Sequence, residues 1–252
     1  MQLFPQSVSE LSASTTRIQI EAGDFGTVSG ELVHTTVQNR DAFTVSARTF
    51  HSDGFARTAY AYAVPLDRTT DLDQSVLQLD WTQTTLAGTR GTLTARVFSE
   101  DRGNGTPLQR NRTREAFLSA QAAGRRDLLG HPADWTASAY LQTQEFRNRF
   151  TSVDAARTSE IAVLDQYAVP SDAAGAAFTA TWSAPSATTT GSGETQENYF
   201  RSGDDFIRHR RAGGDQTFAG FFVHHDRALT PFLRGTLAAR LDAWQLSDGH
   251  RL

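Results

Sequence analysis

The sequence predicts an all-β chain: an antiparallel transmembrane β-barrel, present in part, with ten to twelve strands. Three observations lead there. Apolar and polar residues alternate with a period of two, which sends one kind of side chain to each face of a strand. Several such stretches reach about ten residues, the span of a tilted strand crossing a bilayer. The connections between them tend to alternate between short and long, as the two ends of a membrane barrel do. Residues 135–146 show the pattern best. Trp135, Ala137, Ala139 and Leu141 fall on one face, and Thr136, Ser138, Tyr140, Gln142 and Gln144 on the other.

Composition bounds the possibilities. A length of 252 residues suits one large β domain or two small ones. The hydrophobic fraction is 38% and the mean hydropathy is −0.43. No apolar run approaches the length of a transmembrane helix. A barrel stays open, because alternation dilutes the apolar signal by half. There is no cysteine, so disulfide frameworks and thiolate metal sites are excluded. All 24 basic residues are arginine. A net charge of −4 with interspersed signs argues against a nucleic-acid partner. The first ten residues lack the basic and apolar regions of a signal peptide. The expectation is therefore a removed leader, or a chain that is not a whole gene product.

Residues 1–16 form a polar lead-in, and the predicted barrel segment spans 17–252. Ile18 and Ile20 open the alternation, and a tight turn at Gly23-Asp24-Phe25-Gly26 follows. Val28, Gly30 and Leu32 alternate next, then the turn Gln38-Asn39-Arg40-Asp41, then Phe43, Val45 and Ala47. Residues 51–73 read as a longer, irregular segment. Leu77, Leu79 and Trp81 form the next strand, residues 86–90 a turn, and Leu93, Ala95 and Val97 another strand. Residues 99–114 read as a long polar loop, 115–122 as a weaker strand and 123–134 as a connection. After 135–146 comes a predicted long loop over 147–173, then a strand through Phe178, Ala180 and Trp182. Residues 183–193 are low in complexity, and 195–201 form a short strand. A charged loop over 202–214 leads to a strand at 216–224 and a turn at 226–231. Leu233 to Trp244 alternate cleanly. On this reading Arg48, Asp80, Arg96, Arg234, Arg240 and Asp242 face a wet lumen. A soluble antiparallel sandwich with its polar face in water fits the alternation too.

Several segments taken together carry a resemblance. They are Asp24-Phe25-Gly26-Thr27, Phe50-His51-Ser52-Asp53-Gly54-Phe55, the stretch 100–111 (EDRGNGTPLQRN), and Asp165-Gln166 with Val169-Pro170. Ala173-Ala174-Gly175, residues 191–200, Arg211-Ala212-Gly213-Gly214 and Arg240-Leu241-Asp242-Ala243-Trp244 continue the series. In this order, over roughly 10–252, they resemble the barrel of TonB-dependent outer-membrane receptors. The resemblance implies a barrel of about 22 strands around an N-terminal plug. It implies location in the bacterial outer membrane and uptake of a scarce ligand such as a siderophore or cobalamin. The implied partners are outer-membrane lipid, a small-molecule or metal-chelate ligand, and TonB through a plug region that this sequence lacks. The expectation is a fragment holding the first half of such a barrel, not competent for transport alone. A small self-closed barrel, a passive channel or a soluble binding module are the alternatives. No catalytic residues and no resident cofactor are expected.

Two candidate sites follow. Arg102, Arg110, Arg112 and Arg114 border the glycine-rich loop 102–107 and form a candidate anion site, suited to a ferric chelate. Asp67, Asp71 and Asp73 share one predicted extracellular loop and offer carboxylates for Ca²⁺. Their spacing matches no EF-hand, and a solvated loop is the competing reading. His224 and His225 are adjacent on a strand, so they point to opposite faces and do not share a metal. His51, Ser52 and Asp53 lack the strand-to-helix elbow of a hydrolase triad. Trp81, Trp135, Trp182 and Trp244 suit either an interfacial aromatic girdle or a core.

Overall fold

The computed structural model describes residues 14–57, 64–184, 187–201 and 212–251, with side-chain detail outside 183–201. Most of the polar lead-in and residues 202–211 of the charged loop lie outside the described residues. Eleven strands follow one another: β1 (Thr15–Ala22), β2 (Val28–Gln38), β3 (Asp41–Ser52), β4 (Leu72–Thr84), β5 (Arg90–Gly103), β6 (Arg110–Leu128), β7 (His131–Val153), β8 (Glu160–Ala184), β9 (Ala187–Arg201), β10 (Ala212–Thr230) and β11 (Leu233–Arg251). They form one sheet in sequence order, and every neighbouring pair is antiparallel. The all-β antiparallel prediction is therefore correct. The closed barrel is not present: among the described residues β1 pairs only with β2, and β11 only with β10.

Because each strand pairs with the next in sequence, all odd-numbered connections gather at one end of the sheet. Among the described residues this loop end carries 23–27, 53–57, 64–71, 104–109 and 154–159. The turn end carries residues 39–40, 85–89, 129–130 and 231–232. Short and long connections are thus sorted to opposite ends. Several of the connections use left-handed residues. Leu129 and Gly130 both have positive φ, at 55° and 80°, as a two-residue hairpin loop of the primed type requires. At the loop end, Phe25 and Gly26 take φ 58° and 63°, closed by the Thr27 N–H donating to the Asp24 carbonyl at 3.2 Å.

Three predicted connections are largely strand. The 147–173 segment is not a loop: β7 runs to Val153 and β8 starts at Glu160. The 99–114 loop shrinks to 104–109, and the 123–134 connection to a two-residue turn. Polar residues on both faces of these stretches erase the period-two signal, while the backbone ladder continues through them.

The two faces differ in character. Along β4, Leu77, Leu79 and Trp81 are exposed, whereas Gln74, Val76, Gln78, Asp80 and Thr82 on the opposite face are covered. Leu79 is 48% exposed, Leu141 59% and Leu241 74%. Among the described residues the buried hydrophobic side chains are only Ala42, Ala133 and Ala180. The covered face is held by polar contacts. Asp80 accepts from Thr94 Oγ1 at 2.6 Å and from Gln78 Nε2 at 2.9 Å. Glu115 accepts from Arg96 at 2.7 Å and from Gln142 at 3.1 Å. Arg96 lies 5.0 Å from the Phe117 ring centroid, and Phe117 stacks on Tyr140 at 6.1 Å.

The apolar band climbs diagonally across the sheet. Hydrogen-bonded partners of Leu79 run through Ala95, Leu118, Leu141 and Ala174, then reach Glu197, Thr217 and Gln245. On β11 the band sits at Leu237–Leu241 instead. Trp81, Trp135 and Trp182 share the apolar face toward the turn end, while Trp244 pairs with Phe218 on the opposite face. The girdle expectation thus suits three tryptophans and not the fourth.

Gly175 is opposite Tyr140 in the β7–β8 register. A Cβ at this position would lie 2.5 Å from Tyr140 Cε1, with the ring backed by Phe117. Gly175→Ala is expected to destabilise the fold by about 1–3 kcal/mol through overpacking. A urea titration checks this: the midpoint drops in Gly175→Ala and recovers in Gly175→Ala/Tyr140→Ala. An unchanged midpoint in the single variant would contradict the packing.

Candidate functional site

The loop end concentrates polar chemistry. The 53–71 connection leaves β3 and is tied down at both ends. The Asp53 N–H donates to the Phe25 carbonyl at 2.9 Å, and Thr70 N–H to the Phe55 carbonyl at 3.1 Å. Phe25 and Phe55 rings meet at 6.2 Å. The loop then reaches across its neighbours. Arg68 N–H donates to the Gly105 carbonyl, and Gly103 N–H to the Asp71 carbonyl, both at 2.9 Å. Arg157 of the β7–β8 turn pairs with Asp67, whose side chain is only 7% exposed. Glu160, at the start of β8, accepts from Thr106 Oγ1 at 2.5 Å and from the Leu108 N–H at 2.9 Å. Three loops predicted to lie at the same end thus brace one another into a cap.

The β7–β8 turn is organised by one carboxylate. Asp154 accepts from the Thr158 and Ser159 N–H groups at 2.7 and 2.8 Å and from the Thr158 hydroxyl at 2.9 Å. These donors, the Ser159 N–H foremost, hold the Asp154 carboxyl below its ordinary range. Burial pushes Glu160 up, but the Thr106 hydroxyl leads a set of donors that outweighs it, and its net shift is downward.

The predicted calcium ligands are placed with different partners. Asp67 meets Arg157, Asp71 accepts from Arg110 at 2.8 Å, and Asp73 lies 2.6 Å from His51 Nδ1. Among the described residues no group of three carboxylates or imidazoles is arranged to hold a metal ion. A carboxylate already neutralised by arginine has little to offer Ca²⁺. His51 also lies 3.4 Å from Asp53, while the Ser52 hydroxyl turns to Thr27 at 3.0 Å.

The predicted arginines divide. Arg110, Arg112 and Arg114 alternate along β6 and share the face that carries Ala116 and Leu118. They stand above the apolar band. Asp101 clamps two of them, with Arg110 Nη2 at 2.8 Å and Arg112 Nη2 at 2.5 Å. Arg102 is near Glu100 at 3.7 Å. Among the described residues Arg114 has no ion-pair partner. His51, Asp73, Asp101, Arg112 and Arg147 are register partners across five strands, so they form one charged row on this face.

Sequence reasoning passed over Asp101, Asp154, Arg157 and Glu160. Asp154 followed by Thr158 and Ser159 is a local turn signal that the sequence does carry. Glu160 bonds residues more than fifty positions away, and nothing in the sequence marks that contact.

No family model, no curated protein and no solved structure matches this chain.

Two outcomes check the cap. Arg157→Ala leaves Asp67 without its guanidinium, so limited proteolysis is expected to cut within 53–71 several-fold faster than in the parent chain. An unchanged rate would contradict the bracing. For Asp154 the sign follows from its lowered pKa. Its contribution is full above the ordinary carboxylate pKa and is lost as pH falls through the lower folded value. Amide exchange at Thr158 and Ser159 should therefore quicken, relative to intrinsic rates, on acidification, and Asp154→Asn should flatten that dependence.

Proposed function

We propose that this chain is part of an outer-membrane β-barrel, and that the intact protein takes up a scarce ligand in the manner of TonB-dependent receptors. One observation carries the membrane part: among the described side chains the large apolar ones face outward in a diagonal band, while hydrogen-bonded polar groups fill the opposite face. In water such a surface is an aggregation hazard, since soluble monomers seldom expose apolar patches beyond a few hundred Å². Against hydrocarbon it is the stable arrangement, and the polar face lines a wet lumen. The sorting of longer loops to one end supports an outside and an inside. The braced cap supports ligand capture at that outer end, with a small molecule or metal chelate as cargo. The sequence resemblance supports energy coupling through TonB and a plug.

The uptake reading needs no covalent chemistry. Its parts are a rigid wall, a loop cap that meets ligand first, and a lumen with polar side chains. The open edges of β1 and β11 expose unpaired N–H and C=O groups, and in hydrocarbon each such group costs several kcal/mol. On this reading further strands, from the same protein or another copy, cover both edges.

Refolding from urea tests the membrane part. The chain is expected to fold only with phospholipid vesicles or detergent, to float with the vesicles, and to resist an alkaline carbonate wash. A folded monomer in plain buffer would overturn the proposal and favour a soluble module.

A further inference from the structure

Two depressions adjoin on the outward face. The lower, of about 700 Å³, is apolar and is floored by Leu77, Ala95, Val97, Ala116 and Leu118. The upper, of about 550 Å³, is polar and includes Ser75, Ser99, Asp101, Arg112 and Arg114. They meet because Ser75, Ser99 and Arg114 form one register row and Leu77, Val97 and Ala116 the next row on the same face. The junction is therefore built by pairing, not by a mobile loop.

Charge on this face is nearly all committed. Asp101 is held by Arg110 and Arg112, Asp73 by His51, and Glu145 accepts from Arg147 at 2.7 Å. Glu145 is the cross-strand neighbour of Arg114, yet its carboxylate accepts from Arg147. Arg114 stays without a carboxylate among the described residues. Below it on the same face, Ala116 and Ala95 are too short to cover the guanidinium or fill the floor. Beside it, the Ser75 and Ser99 hydroxyls sit 3.3 Å apart. A planar guanidinium with spare donors matches phosphate oxygens bidentately.

We propose that this face is a specific site for an anionic phospholipid, one whose headgroup carries no cation to compete with the guanidinium for the phosphate. The phosphate sits on Arg114, with Arg112 and the two serine hydroxyls beside it, and an acyl chain lies in the apolar depression. The occupant is a membrane lipid and not free phosphate, because the guanidinium opens directly onto an apolar floor that only a hydrocarbon chain satisfies. This inference rests on the membrane reading above.

The test uses the full chain in phosphatidylcholine vesicles containing a minor fraction of phosphatidylglycerol. After transfer to detergent, native mass spectrometry counts the lipids retained per chain. Phosphatidylglycerol is expected to be retained several-fold above its bulk ratio. Arg114→Gln should abolish that enrichment, and Ala116→Phe, which fills the floor without changing charge, should reduce it similarly. Arg48→Gln removes one charge from the opposite face and should leave it intact. Inorganic phosphate at millimolar concentration should not displace the lipid; displacement would mean a free-anion site and would overturn the assignment. Equal retention in Arg114→Gln and the parent, or no preference over phosphatidylcholine, overturns the site while flotation still upholds the membrane reading. Failure of the parent chain to float overturns both.

Discussion

The constraint on which everything else depends is the antiparallel ladder between sequence neighbours. Eleven strands pair only with their sequence neighbours, and each ladder fixes which side chains share a face. Once Leu79 is outward, Ala95, Leu118 and Leu141 are outward too. A slip of one residue anywhere would turn a whole strand over. Polar pairs across the ladder oppose such a slip: Asp80 with Thr94, Arg96 with Glu115, and Thr35 with Thr44 at 2.9 Å. They act together, and they occupy the covered face of the sheet.

From this parity follow both functional regions. The same alternation that keeps Arg96 and Glu115 on the covered face puts Arg110, Arg112 and Arg114 on the outward one. These arginines begin in sequence as neighbours of a glycine-rich loop, and a loop site for an anion is the natural reading. Their strand parity instead places them above the apolar band, where bilayer headgroups would lie on the membrane reading. On the proposed uptake reading, ligand capture belongs to the cap, where 64–71 leans on 103–105 and on Arg157. Exposed ion pairs are individually worth about 0–1 kcal/mol, so beyond the largely buried Asp67 with Arg157 the cap owes its order to many shared contacts and to the hairpins beneath it.

Much of the architecture was legible from alternation alone. Strands through Leu77–Trp81, Leu93–Val97 and Leu233–Trp244 stand where period two is clean. The strand extents were harder to read. Arg147, Asn148 and Arg149 carry polar side chains on both faces, so β7 looks like a loop after Phe146, although the ladder runs on to Val153. Register shifts between Phe146 and Asn148 and between Phe150 and Thr151 further disturb the pattern. At the site, the sequence brings the right arginines and aspartates to one end but does not say which pair with which. Asp67, Asp71 and Asp73 look like one ligand set because they share one predicted loop, yet each meets a partner from a different element. Such pairings depend on contacts up to ninety residues apart, which local patterns do not encode.

The central claim is that the apolar face of this sheet meets lipid while the polar face does not. The absence of cysteine makes the most direct measurement clean. Single cysteines at Leu77, Gln78, Leu79 and Asp80, each labelled with a fluorophore, are followed in vesicles containing nitroxide-labelled lipid. The account predicts strong quenching at 77 and 79 and little at 78 and 80. Uniform quenching, or quenching of the even positions only, would contradict it.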